Sequence, residues 1–459
     1  MAWVDYMILR LSLLFLPFMM ITAFYMGAYD VEYYLGVLFS LILLYGLSYY
    51  FSLLDTRFLT ILVTFAYLMG GAIGLRNFEG MSYPGYAYWM SPESIYFSLA
   101  FGCLFTASMG LVFIELRHKE FVFRGITLSR SMGSVERSIP FILLLMVYGL
   151  YVYKVISEVG LSIGLMSRGD IYQDKDTLSQ IIKASLAPLF LFSFYVKQRG
   201  ITSPIYGFVL SLVLISFILV DVVILGDRRS ALQLLLALLV MKQLVNPIST
   251  KKVLVRIWPF LVLIPAFILW GKFRNQPLSE YAAIWDSIEV LAIFNPLMTE
   301  FGGAAFVADH MYSSNFMDFM RPTYLETIPE MVPGIVLPNR PDGPAKWFVW
   351  HYHPDIAAAG GAFAFNALYE SIMNFWYFGP LVSGAFWAGG TAFILQIKSR
   401  FSPLISGIFA SSILFFFRAD LISMLKMLSI SFFVFFLVLL IQYCVSEKGL
   451  NFLSRSKKI

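Results

Sequence analysis

Apolar stretches long enough to cross a lipid bilayer recur along the whole chain, and no other feature constrains the fold as tightly. They fall near 7–28, 34–53, 58–75, 95–116, 139–157, 181–196, 204–225, 231–246, 254–273, 375–397, 402–417 and 422–444. That is about twelve runs, at the roughly 20 residues a spanning helix needs. In hydrocarbon each backbone N–H and C=O must be paired within its own segment, so runs of this length predict helices and an all-α polytopic membrane protein. The runs at 181–196, 231–246 and 402–417 are short and are expected to be tilted or broken. The chain is 59% hydrophobic and only 13% charged, where a soluble domain carries about 25% charged residues, so a single soluble core is excluded. The first run is too long for a signal-peptide core and lacks a clean small-x-small cleavage site, so it is expected to be the first span. Cys103 and Cys444 both fall in apolar runs and frame neither a disulfide scaffold nor a metal site.

Lys and Arg placement orients the spans. Arg57, the group Arg117, Lys119, Arg124, Arg130 and Arg137, then Lys197 and Arg199, Lys242, Lys251, Lys252 and Arg256, Lys398 and Arg400, and the tail from Lys448 to Lys458 all fall in one set of alternate loops. The positive-inside bias makes that side cytoplasmic and puts both termini there. The chain then divides into an N-terminal bundle of about nine helices (1–273), a large external loop between helices 9 and 10 (274–374) and the C-terminal transmembrane helices with the cytoplasmic tail (375–459). Within the loop, 280–294 and 297–309 are expected to be helical. The prolines from Pro322 to Pro344 predict a folded-back, non-helical middle, and a helical pattern returns at 357–374. Arg10, Lys154 and Lys183 are the charges singled out inside spans, which otherwise look nearly charge-free.

The outward arginines run against the positive-inside bias. Arg168, Arg228, Arg229, Arg274 and Arg418 each sit at or beside the outer end of a span, on different helices that a bundle can gather. Guanidinium stays charged and matches phosphate oxygens with a planar fork of donors, so such a cluster suits a lipid-linked diphosphate. The opposing reading pairs these arginines with Asp170, Asp227, Glu280, Asp420 or lipid phosphates. Three of the four histidines, His310, His351 and His353, lie in the outer loop, where an imidazole can serve as general base toward a sugar hydroxyl. Glu370 follows in an apolar pattern and is a further base or an arginine partner. His351-Tyr352-His353-Pro354-Asp355 is too loose for a metal site, and no metal or cofactor is expected. Trp285, Trp347, Trp350, Tyr352 and Trp376 suit either sugar stacking or an interfacial aromatic belt.

Gly226-Asp227-Arg228-Arg229-Ser230, opening an apolar helix, resembles the Gly-x-Arg element of bacterial oligosaccharide repeat-unit polymerases, the Wzy family of O-antigen and enterobacterial common antigen polymerases. Also similar are the Pro333 to Pro341 stretch, a His followed by small residues and a Glu-bearing helix ending in Asn374-Phe375-Trp376-Tyr377-Phe378-Gly379, and Arg418 before the last span. The resemblance covers roughly 160–430; Asp227 stands where the family often has Ser or Thr. It implies a GT-C-like membrane glycosyltransferase in the bacterial inner membrane with its active site facing the periplasm. Undecaprenyl-diphosphate-linked oligosaccharide would be the substrate, membrane lipids the surroundings, and a chain-length-regulating co-polymerase a further partner; nucleic acid is not expected. An O-antigen ligase, transferring glycan to lipid A-core, is the near alternative. A lipid-linked oligosaccharide flippase is the alternative of another class, disfavoured by the large external loop and by spans that look nearly free of charge.

Overall fold

The computed structural model describes residues 2–51, 55–76, 91–117, 134–159, 177–198, 203–225, 228–246, 285, 305–313, 316–332, 337, 339, 341–358, 365–397, 401–418 and 420–445. Every regular element among them is a helix. In order they are α1 (Ala2–Tyr25), α2 (Tyr29–Tyr50), α3 (Thr56–Phe65), α4 (Gly71–Arg76), α5 (Pro92–Leu116), α6 (Ser134–Val159), α7 (Thr177–Gln198), α8 (Pro204–Leu219), α9 (Arg228–Val245), α10 (Ala305–Ser313), α11 (Thr323–Met331), α12 (Pro344–Tyr352), α13 (Pro354–Ala358), α14 (Ala367–Phe375), α15 (Gly379–Leu395), α16 (Ser402–Arg418) and α17 (Leu421–Val445). π-helical turns, Ala66–Gly70 and Val220–Ile224, follow α3 and α8.

Among the described residues 8 helical segments are long and apolar enough to cross a membrane, and each matches an expected run. Three of the remaining runs are the short ones, found as α7, α9 and α16; the fourth, 254–273, lies outside the described residues. Local chemistry explains the starts. Ser91 and Ser203 accept from the N–H groups of Ser94 and Tyr206, and each is followed by proline at the first helical position. Asp55 accepts from the Arg57 N–H at 2.8 Å and starts α3.

The long outer segment departs from expectation in one respect. Its prolines do not exclude helix: Pro322 is the cap of α11, while Pro344 and Pro354 open α12 and α13. A first-turn proline gives up only an N–H that the helix leaves unpaired anyway, so these residues start helices instead of breaking them. The described helix near 297–309 begins at Ala305 and runs on to Ser313. The expected helix at 280–294 lies outside the described residues except for Trp285, which is helical and exposed. Of the pattern expected over 357–374, α13 and α14 are the described helices.

The bundle is organised around α5, buried along almost its whole length, with α1, α2, α10 and α15 packed on it. A methyl group added at Gly384 of α15 would stand 2.5 Å from the Phe105 carbonyl oxygen, so only glycine permits the approach of α15 to α5. Ser108 donates to the Leu381 carbonyl across the same contact at 2.7 Å. Between helices in lipid there is no hydrophobic gradient, and close backbone approach and such bonds hold the packing. A second group joins α6, α7, α9, α16 and α17.

The two ends of the bundle differ chemically. At one end Arg10 pairs with Glu115 at 2.7 Å, Arg117 lies over the rings of Tyr6 and Tyr50, and Arg57 pairs with Asp55. Gln396 donates to the Leu116 carbonyl there. At the other end Asp309 of α10 accepts from the Ser91 N–H and the Ser94 hydroxyl, both at 2.8 Å, fixing the outer segment to the start of α5. Phe24 meets Tyr312, and Tyr25 meets Tyr377, at the same end. Among the described residues, Arg10, Arg57 and Arg117 thus lie at the end opposite α10 and the Tyr25–Tyr377 contact.

Candidate functional site

The arginine wedge opens α9, and the packing of α9 on α16 fixes its level. A Cβ at Gly407 of α16 would touch the Ala237 carbonyl and the Met241 side chain of α9, each at 3.4 Å. The helices run antiparallel, so following α16 from Gly407 to Arg418 and α9 back to Arg228 covers about the same rise at 1.5 Å per residue. The backbones of Arg228 and Arg418 therefore stand at one level, at the end of the bundle that carries the outer segment. For Arg228, Arg229 and Arg418 the description stops at the backbone; Arg168 and Arg274 lie outside the described residues.

Just before the wedge, the π-helical turn holds Asp221, completely buried. Lys183 of α7 lies 3.1 Å from its Oδ1, and the Tyr151 hydroxyl of α6 donates to the same oxygen. This corrects the expectation for the spans: Lys183 is not an isolated charge, and Asp221 and Glu32 are buried inside spans as well. Asp221 sits in a strongly apolar run, so composition hides it; only the packing of three helices reveals its partners.

His310, His351 and His353 collect at the end that carries the long segment. His310 of α10 and His353, which ends α12, face each other with their Nε2 atoms 3.2 Å apart. One ring donates its N–H to the lone pair of the other. Phe348 and Tyr352 stand edge-on to His310. Burial, and then the neighbouring His310, pull the His353 pKa below its ordinary 6.5, leaving it neutral near neutral pH. His351 is exposed and stacks flat on Trp347, with ring centres 5.4 Å apart. The structure thus joins His353 to His310 and separates His351 into a platform with Trp347. Trp350 and Trp376 are exposed, as sugar stacking and an interfacial belt both require. Among the described residues no group of three or more His, Cys, Asp or Glu is gathered in the manner of a metal site.

Glu370 is buried in α14 and knits the outer segment to the bundle. Its Oε1 accepts from the Thr323 hydroxyl at 3.2 Å and its Oε2 from the Leu421 N–H at 2.7 Å, tying α11, α14 and α17. Asn374, one turn on, donates to the Glu370 carbonyl and to Thr323, and accepts from the Tyr324 N–H. Asp420 accepts from Ser423 and from the Ala345 N–H, capping α17 and α12 together. Burial, and then the Glu370 carboxyl, keep the Tyr324 phenol protonated far above its ordinary 10.0. Arg321, not singled out in the sequence, pairs with Glu326 at 2.6 Å, donates to the Asp342 carbonyl and lies over Trp347. It is an outer arginine committed to protein partners.

Comparison with protein-family models, with curated proteins and with solved structures returned no match. The chain is an all-α, multi-pass membrane protein.

Proposed function

We propose that this protein is a membrane glycosyltransferase that joins undecaprenyl-diphosphate-linked oligosaccharide repeat units into a surface polysaccharide at the outer face of the inner membrane. The observation that carries the reading is the antiparallel register of α9 and α16, which sets the Arg228 and Arg418 backbones level at the end where the His310–His353 pair also lies. In the transfer, the acceptor sugar hydroxyl attacks the anomeric carbon of the lipid-linked glycan. The bond from that carbon to the diphosphate oxygen breaks, and the proton of the hydroxyl passes to the neutral His353 imidazole. The leaving diphosphate gains charge as the bond breaks, and fixed guanidinium groups stabilise it most at that moment. Trp347 and His351 offer a flat platform for a sugar ring, and Glu370 with Asn374 and Asp420 holds the frame in which these groups sit.

The buried Asp221–Lys183 pair and Glu32 give a lipid-linked oligosaccharide flippase more weight than the sequence did, because ionisable groups inside spans mark transport paths. One phenotype separates the readings. In a deletion strain, loss of a polymerase leaves lipid A-core carrying a single repeat unit, and loss of a ligase leaves bare core with polymer held on the carrier. Loss of a flippase leaves bare core and no polymer. In the complemented strain, Arg228→Ala and Arg418→Ala are each expected to lower polymer formation by about 10²–10³-fold, the cost of removing one charge-stabilising donor, while the protein still inserts. A long-chain ladder retained in both variants sinks the reading.

A further inference from the structure

Glu32 stands in the first turn of α2 at 0% exposure, and neither of its carboxyl oxygens has a hydrogen-bond partner. Tyr29, three residues before it, stacks on Tyr96 of α5 with ring centres 4.7 Å apart. Gly36, four residues after it, packs so closely that a methyl group there would stand 3.1 Å from Leu99 of α5 and from Met20 of α1. Residues three and four apart share a helix face, so Glu32 lies on the face of α2 turned to α5, between those two contacts. Cys103, completely buried one turn beyond Leu99 on the same face of α5, is near enough to feel a charge on Glu32. The other titratable groups here are Tyr29 and Tyr96, with Glu93 at the start of α5 and Tyr312 of α10 close to Tyr29. From α1 come Met20 and Phe24. Among the described residues none of these neighbours is a cation. An ionised carboxyl without a partner is not tolerated in apolar surroundings, and such a group takes a proton instead.

We propose that Glu32 is a proton-binding site that controls the packing of α1 and α2 on α5. The acid keeps its proton while the helices are packed, and its ionisation opens the contact to water. The inference goes beyond the glycosyltransferase reading and does not rest on it. A proton is the one ligand that needs no cavity, only an acid and a short route, and Glu32 is about 4.5 Å along the axis from the start of α2. In the step the carboxyl O–H bond breaks, its electron pair stays on the oxygen and the proton passes to water. The carboxylate then gains the hydration that it lacks in the closed contact. The start of α5 holds α10 through Asp309, and Tyr312 of α10 meets Phe24 of α1, so the proton also governs how the long segment is seated. Ionisable groups within spans commonly serve as proton relays, and Glu32 has the burial and the position of one.

The test uses the full-length chain in nanodiscs, as wild type and as Glu32→Gln, with Cys103 as reporter and the exposed Cys444 as internal reference. Glu32→Gln keeps the shape and fixes the neutral state; Glu32→Met serves in its place if the amide variant fails to fold. A small membrane-permeant maleimide is applied between about pH 6 and 9, above the ordinary carboxyl range, and the Cys103 rate is divided by that of Cys444. The wild-type value relative to the variant is expected to rise by about tenfold per pH unit, because one proton leaves at each opening. At neutral pH the infrared spectrum is expected to show a carboxylic-acid C=O stretch that the variant lacks. A ratio that stays the same at every pH overturns the proposal, because Glu32 is then a packing residue only. A missing acid band overturns it as well, since the carboxyl is then ionised within the closed contact.

Discussion

At the scale of single residues, two buried constellations set what can be measured. The lowered pKa of His353 means that the folded chain binds fewer protons than the unfolded chain between that value and 6.5. The stability tied to this group is whole above 6.5 and is lost as pH falls through the depressed pKa. Transfer activity should follow the neutral imidazole: a plateau near neutral pH, then a fall of about tenfold per unit below the depressed pKa. A pH profile of initial rates checks this, and in His310→Gln the acid limb should move toward higher pH because a like-charged neighbour is gone. An unmoved limb assigns the proton to another group. The second constellation is Lys183 with Asp221. Removing one partner of a buried pair leaves a charge uncompensated at a cost of about 3–5 kcal/mol, whereas replacing both costs far less. Asp221→Asn and Lys183→Met should each lower Tm, and the double variant should recover most of the loss. Additive losses would show that the two groups do not act as a pair.

At the scale of elements, the α5–α15 contact is the least tolerant of added volume. Gly384→Val forces a side chain into the Phe105 backbone, and overpacking of this kind costs about 1–3 kcal/mol. A lower Tm in detergent is expected, with Gly389→Val as the control, since nothing lies within 4 Å of a Cβ there. Equal effects at the two positions would mean that the close approach does not govern the packing. The prolines make a related point. Pro322 and Pro344 read as breakers from composition, yet each stands where a helix begins, because the position of a proline within the turn decides which role it plays.

At the scale of the whole molecule, the described residues show two chemically different ends of the bundle. Arg10, Arg57 and Arg117 gather at one end, while α10 and the α14–α15 turn sit with the α1–α2 turn at the other. The positive-inside expectation would make the basic end cytoplasmic. On that expectation Cys444, exposed at the close of α17, would face the cytoplasm and Tyr312 the opposite side. A membrane-impermeant maleimide should label Tyr312→Cys in intact cells with a permeable outer membrane, and native Cys444 only after the inner membrane is breached. The buried Cys103 should stay unlabelled in both. The reverse order would invert the topology.

The sequence by itself determined the all-α membrane class and the position of nearly every described span, because lipid imposes length rules that act on each segment alone. It also marked His310, His353 and Glu370 as chemically interesting. What it left open depends on which residues meet across helices: His310 with His353, Glu370 with Thr323 and Leu421, Asp221 with Lys183 and Tyr151, and Arg228 level with Arg418. These pairings join residues far apart in the chain. They are decided by crossing and register, which depend on small residues such as Gly384 and Gly407 that no charge or hydropathy pattern singles out. For that reason the charged wedge between two apolar runs was legible in the sequence, while the partners of Asp221, one acidic side chain in an apolar run, became visible only once its surroundings were in place.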